Sequence, residues 1–313
     1  MGNVVVIGSL NFDTIARVDE FPKPGTTIIA KELLFRLGGK GGNQAIAAAL
    51  QGANVLMIGS LGDDSAGEAY QKALRARHVR TDGIFIRKGV PTGTALICVN
   101  DDGENTIVVG LAANETLTAE EVRDQQQWIA MSTVMLAQFE VPMEAVVEGL
   151  KMAKPLGTIT CLNPSPWRGG FPWGEVELDF VIVNEHEAEM MLGKPVQSMG
   201  DLGWIREKTS AMGIGTIIVT RGADSTLAFS NRGPSLEVPT MPVNAVDTVG
   251  AGDCFAGVFV ARWAETRMLE IAVRAASVAG SLATTKPGAQ EAIPDRDATD
   301  QGLAAALRNL MLA

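Results

Sequence analysis

The feature of this 313-residue sequence that most constrains its fold is a series of short, continuous apolar runs that alternate with helical patterns. The runs lie at residues 4–7, 55–58, 134–136, 158–162, 180–183 and 217–220. The clearest helical patterns lie at residues 42–51, 66–77, 119–130, 143–153 and 252–265. Parallel strands are buried on both faces by the helices that connect them, so their sequences are continuously apolar. The alternation therefore predicts an α/β fold with a doubly wound, mostly parallel central sheet and helices on both faces.

Two segments break this alternation and have the character of extended strands. Residues 14–37 contain two prolines and one glycine between apolar stretches, and residues 92–109 contain an Asp101-Asp102-Gly103 turn between two apolar runs. An Asp-Gly turn between such runs is typical of an antiparallel hairpin. Ligands of open α/β folds bind beyond the carboxyl ends of the strands. We therefore predict a small β-sheet lid over such a site, inserted within a single domain that spans residues 1–313.

Charge and cysteine content argue against several classes of partner. The formal net charge is −10 and there is no dense Lys/Arg run, which disfavours nucleic acid because its binding needs many phosphate contacts. No apolar stretch approaches the roughly 18–20 residues that cross a bilayer, so we expect no membrane span. Cys98, Cys161 and Cys254 are scattered and form no CxxC pair, which predicts neither a disulfide framework nor a zinc site. We expect a cytoplasmic enzyme.

The strongest local motif is the sequence DTVGAGD, from Asp247 to Asp253, at the start of a predicted helix. At that position Gly250, Ala251 and Gly252 present free N–H groups and the positive end of the helix dipole, which together bind anions. Asp253 could simply stabilise the first helical turn, by about 0.3–1 kcal/mol. Its pairing with an anion cradle favours chemistry instead. Phosphoryl transfer needs a group that accepts the hydroxyl proton beside donors for the migrating phosphate.

A second glycine cluster, LGGKGGN, opens the first long helix. It is not a Walker A loop, since GxxxxGK[ST] occurs nowhere in the chain. The cluster could be a plain turn into the helix. Lys40 and Asn43 are nevertheless donors of the kind that hold sugar oxygens, and the glycines let a ligand lie against the backbone.

The first strand ends in GSLNFD, at residues 8–13. A dinucleotide site would place GxGxxG after this strand, but only one glycine is present, which weakens the case for NAD. Asn11 and Asp13 could cap a turn, or they could bond sugar hydroxyls.

Together, these motifs resemble the ribokinase-like (PfkB) carbohydrate kinases, in the order of that family and from about Val4 to Pro294. QFEVP around Glu140, LNPSP at residues 162–166 and NEHE at residues 184–187 extend the similarity, and DTVGAGD is its most specific part. The resemblance implies a ribokinase-like fold. It also implies transfer of the γ-phosphoryl group of ATP to a primary hydroxyl of a small sugar, with D-ribose favoured.

The resemblance further implies roles for individual residues on the sugar side and at the centre of transfer. Asp253 would be the general base, and Gly250, Ala251 and Gly252 would stabilise the migrating phosphoryl group. The residues implied to bind the sugar hydroxyls are Asn11, Asp13, Gly39, Lys40, Asn43 and Glu140.

For the nucleotide and its ions, the resemblance implies a second set of residues. Asn184 and Glu187 would position the triphosphate and Mg²⁺. The nucleotide groove would be lined by Thr220, Arg221, Gly222 and Ser277. A monovalent cation, K⁺, would be held at Asp247, Val249, Ala283, Lys286 and Gly288. Because lid sheets of this family often pair between subunits, the resemblance suggests a homodimer formed through the lid.

Three positions depart from the family pattern. Ser225 stands where the nucleotide segment usually has its second glycine, and Val258 replaces a residue that is usually small. Ser277 lies where a larger polar contact to the base is expected. These departures leave open how tightly the nucleotide binds and whether adenine is preferred.

The substrate also stays open at this level. Lys40 and the GGKG run favour ribose, but fructose, a deoxy-sugar acid or a nucleoside is an alternative acceptor. No basic pocket for an acidic sugar is evident. A catalytically silent sugar or nucleotide sensor on the same fold is a second alternative, because fold alone does not guarantee activity.

Overall fold

The computed structural model describes residues 2–102 and 104–312. In chain order the strands are β1 (Asn3–Ile7), β2 (Asn11–Arg17), β3 (Glu32–Gly38), β4 (Asn54–Gly62), β5 (Val79–Arg87), β6 (Thr94–Val99), β7 (Asn105–Gly110), β8 (Val134–Gln138), β9 (Ile159–Asn163), β10 (Leu178–Asn184), β11 (Ile214–Thr220), β12 (Thr226–Ser230) and β13 (Leu236–Val238). The helices are α1 (Lys40–Leu50), α2 (Ser65–Ala76), α3 (Ala119–Asp124), α4 (Gln126–Met131), α5 (Met143–Ala153), α6 (Glu185–Leu192), α7 (Leu202–Ala211), α8 (Ala251–Thr266), α9 (Leu269–Ala283) and α10 (Arg296–Leu312).

A nine-stranded sheet in the order β13-β12-β11-β10-β9-β8-β1-β4-β5 forms the centre of the protein. The strands from β11 to β5 in that order are parallel to their neighbours, and β12 and β13 extend one edge as antiparallel strands. The six predicted apolar runs are β1, β4, β8, β9, β10 and β11. The predicted fold class is therefore confirmed, whereas β5, β12 and β13 were not foreseen.

Helices cover both faces of this sheet, and each face has its own apolar core. One core joins alternate strand residues to α1, α8 and α9 through side chains such as Ile46, Phe259 and Val273. The other joins the opposite strand residues to α5, α6 and α7 through Val146, Leu192 and Ile205. The helix predicted over residues 119–130 is interrupted at Gln125, whose ψ of 11° ends α3 before α4 begins.

A separate four-stranded sheet, in the order β3-β2-β6-β7, is built from the two segments that broke the alternation. Each segment supplies an antiparallel pair, β2 with β3 and β6 with β7, and the pairs join through parallel contacts between β2 and β6. Gly103 of the predicted turn lies outside the described residues. The division into one domain with a lid stays a prediction.

Helices α1 and α8 approach each other closely because Gly257 lies between them. A Cβ atom at residue 257 would be 2.3 Å from the Gln44 carbonyl oxygen and 2.6 Å from the Ala47 Cβ. Any side chain there would force the helices apart. The glycine thus brings the first turns of both helices, which carry the two glycine motifs, to the same place.

Among the described residues, none of the helices combines the length and apolar character that a membrane span requires.

Candidate active site

The predicted site residues lie at the carboxyl edge of the central sheet. Asn11 follows β1 in the chain, Glu140 follows β8, and Asn184 ends β10. The first turns of α1 and α8 reach the same edge. This is where ligands bind in open α/β sheets, and the structure brings the separate motifs together there.

Asp253, in the first turn of α8, is 7% exposed and is fixed by two side chains of α1. Asn43 donates its Nδ2 to Asp253 Oδ2 at 2.9 Å, and Gln44 donates its Nε2 to Oδ1 at 3.1 Å. A helix-stabilising acid needs no such partners from another helix. The arrangement holds the carboxylate in one orientation and leaves lone pairs on both oxygens for a further donor.

The anion cradle begins at Gly250, which has a φ of +77° that favours glycine. A Cβ atom there would also lie 2.9 Å from the Ala289 Cβ. The bond from Cys254 N–H to the Gly250 carbonyl, at 2.8 Å, is the first to span a helical turn of α8. The N–H groups of Gly252 and Asp253 precede that bond and are available to an anion.

A cavity of about 910 Å³ opens beside this cradle. A Cβ atom at Gly252 would meet no atom within 4 Å, so this glycine borders open space. The predicted nucleotide residues that line the cavity are Asn184, Thr220, Gly222 and Ser277. Phe255, Met241, Pro242 and Val243 supply apolar surface. The cavity has the mixed lining that a nucleotide base and its phosphates require.

Arg221 is not part of this lining. Its guanidinium group donates to the carbonyl oxygens of Ser225 and Gln197, each at 2.8 Å. It also donates to the Ser225 hydroxyl, which in turn bonds the Glu237 carboxylate. Ser225, the departure from the family's glycine, thus ties the turn between β11 and β12 to its neighbours.

Asn184 and Glu187 form a capping box at the start of α6. The Glu187 N–H donates to Asn184 Oδ1 at 2.8 Å, and the Asn184 N–H donates to Glu187 Oε2 at 3.0 Å. These bonds satisfy helix N–H groups whatever the function. Glu187 is nevertheless 6% exposed and close enough to Lys40 for its charge to affect the pKa of that lysine.

Asn11 and Asp13 begin β2, the strand that leads from the central sheet into the small sheet. Asn114 donates to Asn11 Oδ1 at 2.8 Å, which leaves the Asn11 amide hydrogens free to face a ligand. Asp13 Oδ1 accepts from the Ala95 N–H of β6 at 2.9 Å. Burial raises the pKa of Asp13 to about 6; the Ala95 bond lowers the pKa and the Glu140 charge raises it, both by less.

Glu140 and Lys40 connect the sugar side to the centre of transfer. Glu140 Oε2 accepts from the Ser9 hydroxyl and, at 3.1 Å, from the Lys40 N–H. Burial lowers the pKa of the Lys40 ammonium, but Asp253, Glu140 and Glu187 together outweigh that effect and raise it. The lysine therefore stays charged among three carboxylates. Gly39 has a φ of +81°, and a Cβ atom at this position would lie only 2.8 Å from the Asn11 nitrogen. Both features require glycine here.

The predicted cation residues meet where the loop before α8 touches the segment after α9. Asp247 accepts from the Val249 N–H at 3.0 Å and from the Gly288 N–H at 2.9 Å. The Val246 and Asp247 N–H groups both donate to the Thr284 carbonyl. The side chains of Ala283, Val249 and Lys286 contain no oxygen, so these positions could contribute backbone carbonyl oxygens only.

Several polar residues at the site escaped the sequence interpretation. Gln44 contacts Asp253 directly. The only hint of this in the sequence was that Gln44 directly follows Asn43, a predicted site residue. The remaining members act through partners far away in sequence: Ser9, Asn114, Gln138, Asn163, Tyr70 and Gln290.

Comparison with known proteins gives a consistent result. Residues 1–296 match the profile described as pfkB family carbohydrate kinase. The chain is similar to a ribokinase of Staphylococcus aureus, with 35% identity over 93% of this chain and 96% of that protein. A deoxyribokinase of Salmonella typhi is 31% identical over 93% of this chain and 95% of its own length. The solved structure of Arabidopsis thaliana ribokinase complexed with ribose and ATP has a TM-score of 0.90 at 28% identity, and covers 96% of this chain and 98% of that one.

Proposed function

Because the chain belongs to the pfkB family of carbohydrate kinases, we propose that it transfers the γ-phosphoryl group of ATP to the 5-hydroxyl of D-ribose. The observation that carries this proposal is the placement of Asp253. Its carboxylate is buried and held by Asn43 and Gln44, and it lies beside free N–H groups that border a nucleotide-sized cavity. The similarity to ribokinases, one of them solved with ribose and ATP, supports the same reaction.

In this mechanism each residue acts on an identified atom. Asp253 accepts the proton of the acceptor hydroxyl as its oxygen attacks the γ-phosphorus. The cradle of Gly250, Ala251 and Gly252 offers the N–H groups of Gly252 and Asp253 to the charge that develops on the phosphoryl oxygens, because the Ala251 N–H already donates to the Thr248 carbonyl at 3.3 Å. General-base assistance contributes about 10²- to 10⁴-fold in rate, and one donor to developing charge about 10²- to 10³-fold. Lys40, which the charges of Asp253, Glu140 and Glu187 keep protonated, would supply a cation near the reacting groups.

The proposed sugar-binding residues lie around the base of the lid, where β2 begins at Asn11 and β3 ends at Gly38. Asn11, Asp13, Gly39, Asn43 and Glu140 offer amide donors, carboxylate acceptors and an exposed backbone to the hydroxyls. The small sheet carries Asp13 on β2, and the Ala95 N–H of β6 in the same sheet donates to the Asp13 carboxylate. This sheet would close over the sugar and exclude water from the transfer.

The donor sets for both ions fit the groups that the family uses. Glu187 does not line the cavity itself but directly follows the lining residues Glu185 and His186. It employs one carboxylate oxygen in its capping box, and the other would suit a magnesium ion held through phosphates and water, as Mg²⁺ prefers. Bound magnesium would neutralise phosphate charge. Asp247 and the backbone carbonyls near Thr284 offer hard oxygens to a potassium ion. No group of three or more His, Cys, Asp or Glu residues clusters as a metal site in residues 2–102 and 104–312, which agrees with ions held largely by backbone, water and substrate.

The test is a panel of sugars and nucleosides in a coupled assay of ADP formation, with and without K⁺ and after removal of Mg²⁺. We expect D-ribose to lead the other acceptors by about 10²-fold in kcat/KM. The similar deoxyribokinase makes 2-deoxyribose the second candidate acceptor. If a nucleoside or fructose gives the highest kcat/KM, the proposed substrate is wrong but the proposed kinase activity is retained. If no acceptor yields ADP although ribose raises Tm, the protein is a sensor.

We also propose that two copies pair through the lid, in a cytoplasmic homodimer. The face of the small sheet that is opposite Asp13 carries four exposed apolar side chains, which are Leu33, Phe35, Leu96 and Val108, at 57, 56, 53 and 62% exposure. An apolar patch of this kind marks a protein interface in soluble proteins. The cytoplasmic placement is supported by Cys98, Cys161 and Cys254, which are free.

The dimer is tested by light scattering on Phe35→Ser, with Met268→Ser as a control because Met268 is 55% exposed outside the lid. We expect the first variant to halve the molar mass and the second to leave it unchanged. A wild-type protein that is monomeric at every concentration would contradict the proposal.

A further inference from the structure

Asp253 is held by two pairs of buried amides, one on each carboxylate oxygen. On Oδ2, Asn43 is the donor, and Gln290 in turn donates to Asn43 Oδ1 at 3.0 Å. On Oδ1, Gln44 is the donor, and Gln138 donates to Gln44 Oε1 at 2.6 Å. All four amides are nearly inaccessible, with exposures of 5, 2, 0 and 0%. Burying an amide costs free energy for every polar atom left without a partner, and in this network the Oε1 atoms of Gln138 and Gln290 have none among the described residues. The retention of four buried amides around one carboxylate therefore calls for an explanation.

The orientation of the Gln44 amide is determined by a backbone carbonyl. Asn163 donates its Nδ2 to the Ile182 carbonyl at 2.9 Å, so its Oδ1 must face Gln44. Gln44 Nε2 then donates to Asn163 Oδ1 at 3.0 Å and to Asp253. A flipped Gln44 would place its own oxygen against two acceptors. Both hydrogens and the oxygen of Gln44 are therefore committed, with one hydrogen directed at the catalytic carboxylate.

The orientation of Asn43 is determined in the same way from the lid side. Tyr70 donates its hydroxyl to the Gly38 carbonyl at 2.6 Å, so the Tyr70 oxygen accepts from Gln290 Nε2 at 2.8 Å. Gln290 Nε2 also donates to Asn43 Oδ1, which turns Asn43 Nδ2 toward Asp253. Gly38 is the last residue of β3, so this chain of bonds joins the base of the lid to Asp253.

We propose that Gln44 and Gln290 are positioning residues for phosphoryl transfer. This inference rests on the proposed kinase function, in which Asp253 accepts the hydroxyl proton. With one lone pair of each oxygen committed to an amide, the carboxylate cannot rotate, and the remaining lone pairs are presented to the sugar hydroxyl. Gln44 acts on Asp253 directly, whereas Gln290 acts through Asn43.

Gln290 also lies two residues after Gly288, whose N–H donates to Asp247 at 2.9 Å. The segment that carries the expected cation residues is thus joined to Asp253 through Gln290 and Asn43. A change in that segment has a direct physical route to the orientation of the base.

The experiment compares Gln44→Met and Gln290→Met with Gln51→Met. Gln51 is a matched control: it follows α1, is 2% exposed, and bonds to the Pro294 carbonyl, Thr299 and Arg262 rather than to the site. Methionine keeps the length of the side chain and removes its hydrogen bonds. For each variant, thermal unfolding, kcat, and the KM of ribose and ATP are measured at one pH. The wild-type protein is measured alongside.

For Gln44→Met we expect kcat to fall by about tenfold to hundredfold while the KM of ribose changes by less than about threefold. Sugar and ATP binding do not depend on the direction of the Asp253 carboxylate, so the loss should fall mainly on kcat. Gln290→Met should lower kcat in the same way but by less. Gln51→Met should lower Tm without lowering kcat.

The charged groups around Asp253, which are Lys40 with Glu140 and Glu187 beyond it, are unchanged in all three variants. A fall in kcat that leaves the KM of ribose and ATP in place therefore reports on the amides. If both site variants lose only Tm, as Gln51→Met does, the positioning role is overturned. Gln290→Met decides the matter should Gln44→Met fail to fold. A wild-type protein that forms no sugar phosphate contradicts the kinase function instead.

Discussion

Around Asp253 the polar side chains are buried and bonded to one another, whereas around the nucleotide cavity the hydroxyls of Thr220, Thr240 and Thr284 bond only to backbone carbonyls. Asn43 and Gln44 reach Asp253 from a helix that is packed against α8 through Gly257. Thr220 and Gly222, by contrast, border a cavity of about 910 Å³, and the adjoining loop leaves Val246 and Val249 66% and 49% exposed.

The difference indicates that the two regions have different roles, orientation of the base in one and binding of the nucleotide in the other. Orientation of a base must be accurate before the substrate arrives, since misplacement by about 1 Å can cost about 10²-fold in rate. A nucleotide supplies its own phosphates, base and metal ion, so its cavity can be completed by the ligand. Changes near Asp253 should therefore affect kcat, and changes at the cavity should affect the KM of ATP.

The largest expected effect comes from Asp253→Asn. The amide cannot accept the hydroxyl proton, so kcat should fall by at least about 10²-fold while the dissociation constant of ribose stays nearly unchanged. Steady-state kinetics and calorimetric sugar binding measure the two quantities. Glu270→Gln is the matched control, because Glu270 also lies in the first turn of a helix, α9, and is exposed. Equal activity of the two variants would leave Asp253 a helix-stabilising acid.

A smaller effect should appear in the pH dependence of sugar binding. Because the pKa of Asp13 is raised to about 6, the free protein protonates this carboxyl below that pH and loses a charged acceptor for sugar hydroxyls. The KM of ribose should rise roughly three- to tenfold as the pH falls from 7 to 5. The Asp13→Asn variant should bind ribose more weakly, with a higher KM that does not change with pH. A KM of the wild-type protein that is flat over this range would exclude the role of Asp13.

The same pKa has a consequence for stability in the absence of sugar. The folded protein binds a proton at Asp13 more tightly than the unfolded chain does. The contribution of Asp13 to the free energy of unfolding is thus largest below the unfolded pKa near 3.8 and is lost as the pH rises through 6. Relative to the wild-type protein, Asp13→Asn should gain stability between pH 4 and 7, as measured by denaturant unfolding.

The smallest effect is expected on the nucleotide side, from Ser225→Gly. This change restores the family's usual glycine and removes the hydroxyl that bonds Arg221 and Glu237. The turn between β11 and β12 should loosen, and the KM of ATP should change by about two- to threefold in either direction, with kcat and the KM of ribose unaffected. Ser235→Gly serves as the control, because Ser235 lies in the turn at the other end of β12, where its hydroxyl accepts from the Ser230 N–H. A fall in kcat would contradict the division between the two regions.

Much of the fold could be read from the sequence because its signals are local. The six apolar runs became parallel strands, since residues buried on both faces must all be apolar. The edge strands β12 and β13 and the helices α6, α7 and α9 were missed. Their patterns are short or, as in the Ala-rich α9, apolar nearly all round, so periodicity does not separate them from other buried segments.

The site divides in the same manner. Gly250, Gly252 and Asp253 were recognisable because an anion cradle and its acid lie within one helical turn. Arg221 was assigned to the nucleotide groove by position in a motif, yet its side chain bonds to Ser225 and Gln197 and lies outside the cavity lining.

The sequence by itself thus determined the parallel α/β sheet, the two glycine motifs that begin α1 and α8, and the acid that could serve as the base. Only the tertiary structure decided which side chains hold that acid. Gln290 is 247 residues from Asn43, and Gln138 is 94 residues from Gln44. Hydrogen-bond partners at such separations depend on how the helices pack against the sheet. No local pattern of residues records that packing.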